Sequence, residues 1–84
     1  MSHVVYILKC ADNTLYIGCT NDIDKRLHQH NHLKSGARYT KMRRPVTLVH
    51  SEHYQTLKEG RAREAEIKRL TRKEKLFLIL NKNN

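Results

Sequence analysis

At 84 residues, with 17 lysines and arginines against 8 aspartates and glutamates, the chain carries a formal net charge of +9. Its length indicates one small domain spanning residues 1–84, burying only about 60% of the surface its unfolded form exposes, so the core must be compact. No apolar run approaches the roughly 20 residues needed to cross a membrane, and Met1-Ser2-His3 leads straight into an apolar strand pattern rather than a secretory leader, which makes the cytoplasm the expected location.

Val4-Val5-Tyr6-Ile7-Leu8 is a dense β-branched and aromatic run and reads as a buried strand. Ala11-Asp12-Asn13 signals a turn, and Leu15-Tyr16-Ile17 a second strand, so the chain opens on a hairpin. The two cysteines on this segment, Cys10 and Cys19, are expected as free thiols, and their spacing matches no zinc template. Gly18 is expected to end the second strand and to permit a close backbone approach.

Thr20 or Asn21 then caps a helix, with Asp22 and Asp24 in the first turn where the helix dipole favours acids. Ile23, Leu27 and Leu33 form its apolar stripe. Arg26 and His30, four residues apart, lie over one another beside that stripe and point toward the edge of the sheet. Lys34 to Arg44 reads as a basic loop around Ser35-Gly36, ending at Pro45. Val46 to His50 reads as a third strand, and the pattern from Gln55 to Leu70 is helical. Thr71 with Glu74 forms a capping box for a last helix whose buried face is Leu76 to Leu80, and Asn81 to Asn84 are expected to fray. The order is strand, strand, helix, strand, helix, helix. That is an α/β (α+β) sandwich with a small three-stranded sheet flanked by three helices.

The charge distribution says more than its total. No acidic residue occurs from Lys25 to Ser51, where Lys25, Arg26, Lys34, Arg38, Lys41, Arg43 and Arg44 all fall. A second basic group runs through Lys68, Arg69, Arg72, Lys73 and Lys75. Such blocks are the electrostatic footprint of a nucleic-acid partner, although a basic face says nothing about catalysis. A tyrosine, an arginine and a histidine brought together at Tyr16, Arg26 and His30 suit phosphate chemistry. The arginine grips a phosphate with two donors, and the histidine or tyrosine accepts or relays a proton. His28 and His32 are also four apart, but no third ligand accompanies them, so they read as surface residues.

Val4-Val5-Tyr6 with Tyr16-Ile17-Gly18 resembles the two halves of the GIY-YIG nuclease signature, the first half keeping only its tyrosine. The resemblance continues through Thr20-Asn21-Asp22-Ile23, Arg26-Leu27 and His30-Asn31. It extends over Gly36-Ala37-Arg38-Tyr39-Thr40-Lys41, over Arg44 to Val49, and over Glu64-Ala65-Glu66-Ile67-Lys68. It covers residues 3–80 in order, and the chain looks like the small single-domain bacterial group.

The resemblance implies a metal-dependent endonuclease acting on nucleic acid, with DNA favoured. One Mg2+ or Mn2+ ion would be held by Glu64, with Glu66 as the fallback on a different helix face. It implies that Arg26 binds the scissile phosphate, that Tyr6 and Tyr16 orient or deprotonate the attacking water, and that His30 assists proton transfer or orients a tyrosine. Asn83 corresponds to a late supporting asparagine. Arg38, Tyr39, Lys41, Arg43 and Arg44 are expected to contact the nucleic-acid backbone, giving affinity with little sequence choice. The rival reading is a nucleic-acid-binding module whose cleavage is lost, weak or dependent on a protein partner that supplies specificity. It rests on the missing glycine at Val4 and on the small size of the domain.

Overall fold

The computed structural model describes residues 2–33 and 37–81. Strands β1 (His3–Lys9), β2 (Leu15–Thr20) and β3 (Thr47–Tyr54) form one antiparallel sheet in the order β2-β1-β3. Helix α1 (Ile23–His32) and a single-turn α2 (Arg38–Lys41) lie between β2 and β3 in sequence; α3 (Leu57–Lys68) and α4 (Arg72–Leu80) follow β3.

Side chains alternate across a strand, and β1 is buried along most of its length, so it feeds two cores. Tyr6, Leu8 and Cys10 face one side, where Ile23 and Leu27 of α1 pack with Val46, Tyr16 and Leu48. Val5 and Ile7 face the other side, where Ile67 of α3 packs with Leu70, Leu78 and Ile79. Both cysteines are free.

The β1–β2 turn is built as its composition predicts. Asn13 adopts a left-handed φ of 69°, and the Asp12 carboxylate accepts from the Thr14 amide at 3.1 Å and the Thr14 hydroxyl at 2.6 Å. The Thr71–Glu74 capping box is present.

Several local features differ from the sequence reading. Gly18 lies inside β2, opposite Tyr6, rather than at its end. The cap of α1 is Asp22, whose carboxylate accepts from the Lys25 amide at 3.1 Å; the Thr20 hydroxyl supports it by accepting from the Asp22 amide at 3.1 Å. Leu33, expected on the stripe, is an exposed C-cap. The basic loop contains α2, making four helices rather than three among the described residues.

β3 runs on through Ser51-Glu52-His53-Tyr54 because its polar members have partners. Glu52 accepts from Tyr54 Oη at 2.7 Å and from Arg63 of α3 at 2.7 and 3.1 Å, and pairs with His50 Nε2 at 2.8 Å. A second capping box, Thr56 with Glu59, starts α3. Asn81 is not frayed: it caps α4 and donates from its side chain to Phe77 O at 2.8 Å. Lys34, Ser35-Gly36 and Asn83 lie outside the described residues.

Candidate active site

The site is assembled around the Tyr6 hydroxyl. Tyr6 stands on the central strand with only 2% of its surface exposed, and its ring lies across β2 at Gly18. A Cβ at position 18 would sit 2.3 Å from Tyr6 Oη and 2.5 Å from Cζ, so the glycine is required by the space the ring takes and not by any unusual φ. The strand register places Tyr16 opposite Leu8, on the same face as Tyr6.

From α1, His30 is fully buried and its Nε2 lies 3.0 Å from Tyr6 Oη. The imidazole also meets the Tyr16 ring edge-on, with centroids 5.2 Å apart. One turn earlier on α1, Arg26 donates to Gln29 Oε1 at 2.9 Å and hydrogen-bonds the Tyr6 phenol. Gln29, which carried no signal in the sequence beyond its i+3 spacing, thus helps to aim the guanidinium.

Glu64 comes from α3, in the layer on the opposite face of the sheet, and is 9% exposed. Its carboxylate is close enough to act on both Tyr6 and Cys19. Lys68 Nζ lies 2.9 Å away and Arg61 Nη1 3.9 Å away. Glu66, the fallback, is exposed and bonded to Arg63.

The electrostatics follow from this burial. Burial pushes the Tyr6 phenol up to about 12 against the hydrogen bond and charge of Arg26, which pull it down; the Tyr16 and Glu64 groups add to the rise. Burial, and then the charges of Arg26 and Arg44, together lower the His30 imidazole to about 4. At neutral pH the pair is therefore a neutral phenol hydrogen-bonded to a neutral imidazole. Burial, and then the Glu64 carboxylate, push the Cys19 thiol up, so it is no activated nucleophile.

Tyr6, Tyr16, Arg26 and His30 are thus brought together on one face of the sheet, and Glu64, from the layer on the other face, is near enough for its charge to reach Tyr6. The residues expected to contact a nucleic-acid backbone divide into two sets. Arg38 and Lys41 are exposed on α2. Arg44 is occupied inside the protein: it donates to the carbonyls of His30 at 2.6 Å, Gln29 at 3.2 Å and Leu33 at 2.6 Å, closing the C-terminal end of α1. Arg43 pairs with Asp12 at 3.1 Å, donates to Tyr39 O at 2.9 Å and lies 3.9 Å over the Tyr39 ring. Tyr39 in turn stacks on Tyr16 with centroids 5.9 Å apart.

Glu64 is the only acidic residue in this group, and among the described residues no three His, Cys, Asp or Glu side chains cluster as a metal-ligand set. A single carboxylate suits Mg2+ or Mn2+, hard ions that take oxygen ligands and keep much of their hydration, and does not suit zinc. Lys68, more than half exposed, can swing clear of the carboxylate. His28 and His32 are exposed, with their rings 4.8 Å apart. Val4 is buried, so the position of the missing signature glycine holds a packed side chain. Among the described residues no helix is long and apolar enough to cross a membrane.

Comparison with known proteins identifies the family and the fold. The family profile described as the GIY-YIG catalytic domain matches residues 2–77. A UPF0213 protein of Syntrophus aciditrophicus is 57% identical over 75 residues, covering 89% of this chain and 86% of that protein. A UPF0213 protein of Staphylococcus aureus is 53% identical over 78 residues, covering 93% of this chain and 94% of its own length. The solution NMR structure of the UPF0213 protein BH0048 from Bacillus halodurans superposes with a TM-score of 0.63 at 38% identity, covering 99% of this chain and 88% of that one. That of EF2693 from E. faecalis gives 0.63 at 42% identity, covering 89% and 79%. The chain belongs to the GIY-YIG catalytic domain family.

Proposed function

We propose that this protein is a metal-dependent endonuclease that hydrolyses phosphodiester bonds in nucleic acid, DNA in preference to RNA. The observation that carries this reading is the Tyr6 hydroxyl held 3.0 Å from a neutral, buried His30 beside the Arg26 guanidinium, with the charge of the buried Glu64 reaching the phenol. Arg26 receives the scissile phosphate, with Gln29 holding one edge of its guanidinium. The attacking water gives a proton to Tyr6 Oη as Tyr6 passes its own to His30 Nε2. The new O–P bond forms as the bond to the leaving oxygen breaks. A phosphate at Arg26 offsets one of the charges that depress His30, so substrate binding makes the imidazole a better base. A divalent ion held by Glu64 would supply positive charge at the phosphate and at the attacking oxygen. Arg38 and Lys41 add affinity for the backbone.

The alternative, a binding module that cleaves weakly, not at all, or only with a partner protein, draws on Lys68 Nζ, which sits 2.9 Å from the Glu64 carboxylate where a cation would act. A cleavage assay separates the readings. Purified wild type, Glu64→Gln and Arg26→Ala are incubated with Mg2+ or Mn2+ on single-stranded, duplex and branched DNA and on RNA. The enzyme reading expects wild-type cleavage that falls at least about 100-fold in either variant. Binding without cleavage under every condition would overturn it, as would equal traces in all three proteins.

A further inference from the structure

The sequence reading left Thr40 without a role. It lies on α2, is fully buried, and its Oγ1 is 2.7 Å from His30 Nδ1 and 2.9 Å from Ala37 O. A threonine hydroxyl has one proton to give. The Ala37 carbonyl has no proton, so the hydroxyl must donate there. Toward His30, Thr40 then has only lone pairs to offer, and Nδ1 must carry the ring proton. A neutral ring protonated at Nδ1 leaves Nε2 as a bare lone pair aimed at Tyr6. The order of donation is therefore Tyr6 Oη–H to His30 Nε2, His30 Nδ1–H to Thr40 Oγ1, and Thr40 O–H to Ala37 O.

We propose that Thr40 is a positioning residue that fixes His30 as its Nδ1–H tautomer, the only neutral form able to take the Tyr6 proton. This rests on the cleavage chemistry proposed above. The opposite tautomer would put an N–H against the phenol, reversing that hydrogen bond and leaving His30 no lone pair for the relay. An ordinary helical threonine bonds back to a carbonyl three or four residues earlier and stops there. The additional contact to the imidazole, buried beneath α2, is what sets Thr40 apart. Groups that set the tautomer of a working histidine act through its other ring nitrogen in this way.

The test uses 15N–1H NMR of the imidazole rings in the intact protein at neutral pH, with Thr40→Val and Thr40→Ser beside wild type. Wild-type His30 is expected to show a protonated Nδ1 and an unprotonated Nε2. Thr40→Ser keeps that pattern. Thr40→Val, which has the same shape without the hydroxyl, reverses or mixes it. Cleavage by Thr40→Val falls about 10- to 100-fold in kcat with KM little changed, and Thr40→Ser recovers most of it. A wild-type His30 protonated at Nε2 overturns the proposal even if Thr40→Val does not fold. So does a Thr40→Val protein with an unchanged imidazole pattern. If wild type cleaves nothing, the proposed activity fails, while the tautomer is still decided by the spectrum.

Discussion

Replacing Gly18 by alanine tests the packing that brings the two motif tyrosines onto one face. The added methyl would stand 2.3 Å from Tyr6 Oη, 2.5 Å from Cζ and 3.0 Å from Cε1. Ordinary carbon contacts need about 3.5 Å, so the ring must retreat by about 1 Å. It has nowhere to go, being 2% exposed and packed against Leu8, Val46 and Leu27. Overpacking of this kind costs about 1–3 kcal/mol. The same movement takes Tyr6 Oη from 3.0 Å to beyond hydrogen-bonding range of His30, adding about 1 kcal/mol. The sum is about 2–4 kcal/mol in urea unfolding, with kcat reduced about 100-fold by the misplaced hydroxyl. A double-mutant cycle isolates the cause. In a Tyr6→Leu background the methyl meets a shorter side chain, and Gly18→Ala should cost little, giving a coupling of about 2 kcal/mol. Additivity within about 0.5 kcal/mol would refute the reasoning, since the cost would then belong to the backbone at Gly18 and not to the ring.

The Glu52 carboxyl offers a pH test. Burial raises it, but hydrogen bonds from Arg63, Tyr54 and His50 outweigh this and bring it from 4.5 to about 2. Its contribution is therefore complete above pH 4.5 and lost as the pH falls toward 2; after screening this should be about 2 kcal/mol, and Glu52→Gln should flatten that part of the stability profile. Arg44→Ala uncaps the three carbonyls at the end of α1 and should cost about 2 kcal/mol, lowering Tm by roughly 8–16 °C, with Arg44→Lys recovering a part; an unchanged Tm would count against the capping role. Arg38→Ala and Lys41→Ala should leave Tm unchanged while each lowers the salt dependence of DNA binding by about one unit of log–log slope, and an unaltered slope would remove that residue from the interface.

Tyr16, Arg26 and His30 were legible as neighbours because the strand-to-helix turn and the i,i+4 helix spacing are local rules, while Tyr6 entered through the resemblance. Glu64 was legible by resemblance only: its spacing to Lys68 is that of any solvated helix pair, and its burial comes from α3 docking on the sheet. The helix α2 was not legible because one turn shows no periodicity and its N-cap, Ala37, supplies no side-chain acceptor. Tertiary contacts make it, through Thr40 under His30 and Tyr39 against Tyr16. Arg44 misled because a basic stretch does not reveal which guanidinium points inward. The second half of β3 was hidden by its polar residues, whose partner Arg63 lies 11 positions beyond Glu52.

Tyr6 belongs to the central strand, hydrogen-bonded on both sides, so its amide is released to solvent only when the sheet opens. The single turn that carries Thr40 has no such protection and can detach by itself at a smaller free-energy cost. The protein can therefore pass through a folded but idle state, with its tyrosine in place and its histidine unguided, and heating should silence it before it unfolds. Amide exchange that is much faster at Thr40 than at Tyr6 would reveal that state, and equal rates would mean that site and fold are lost together.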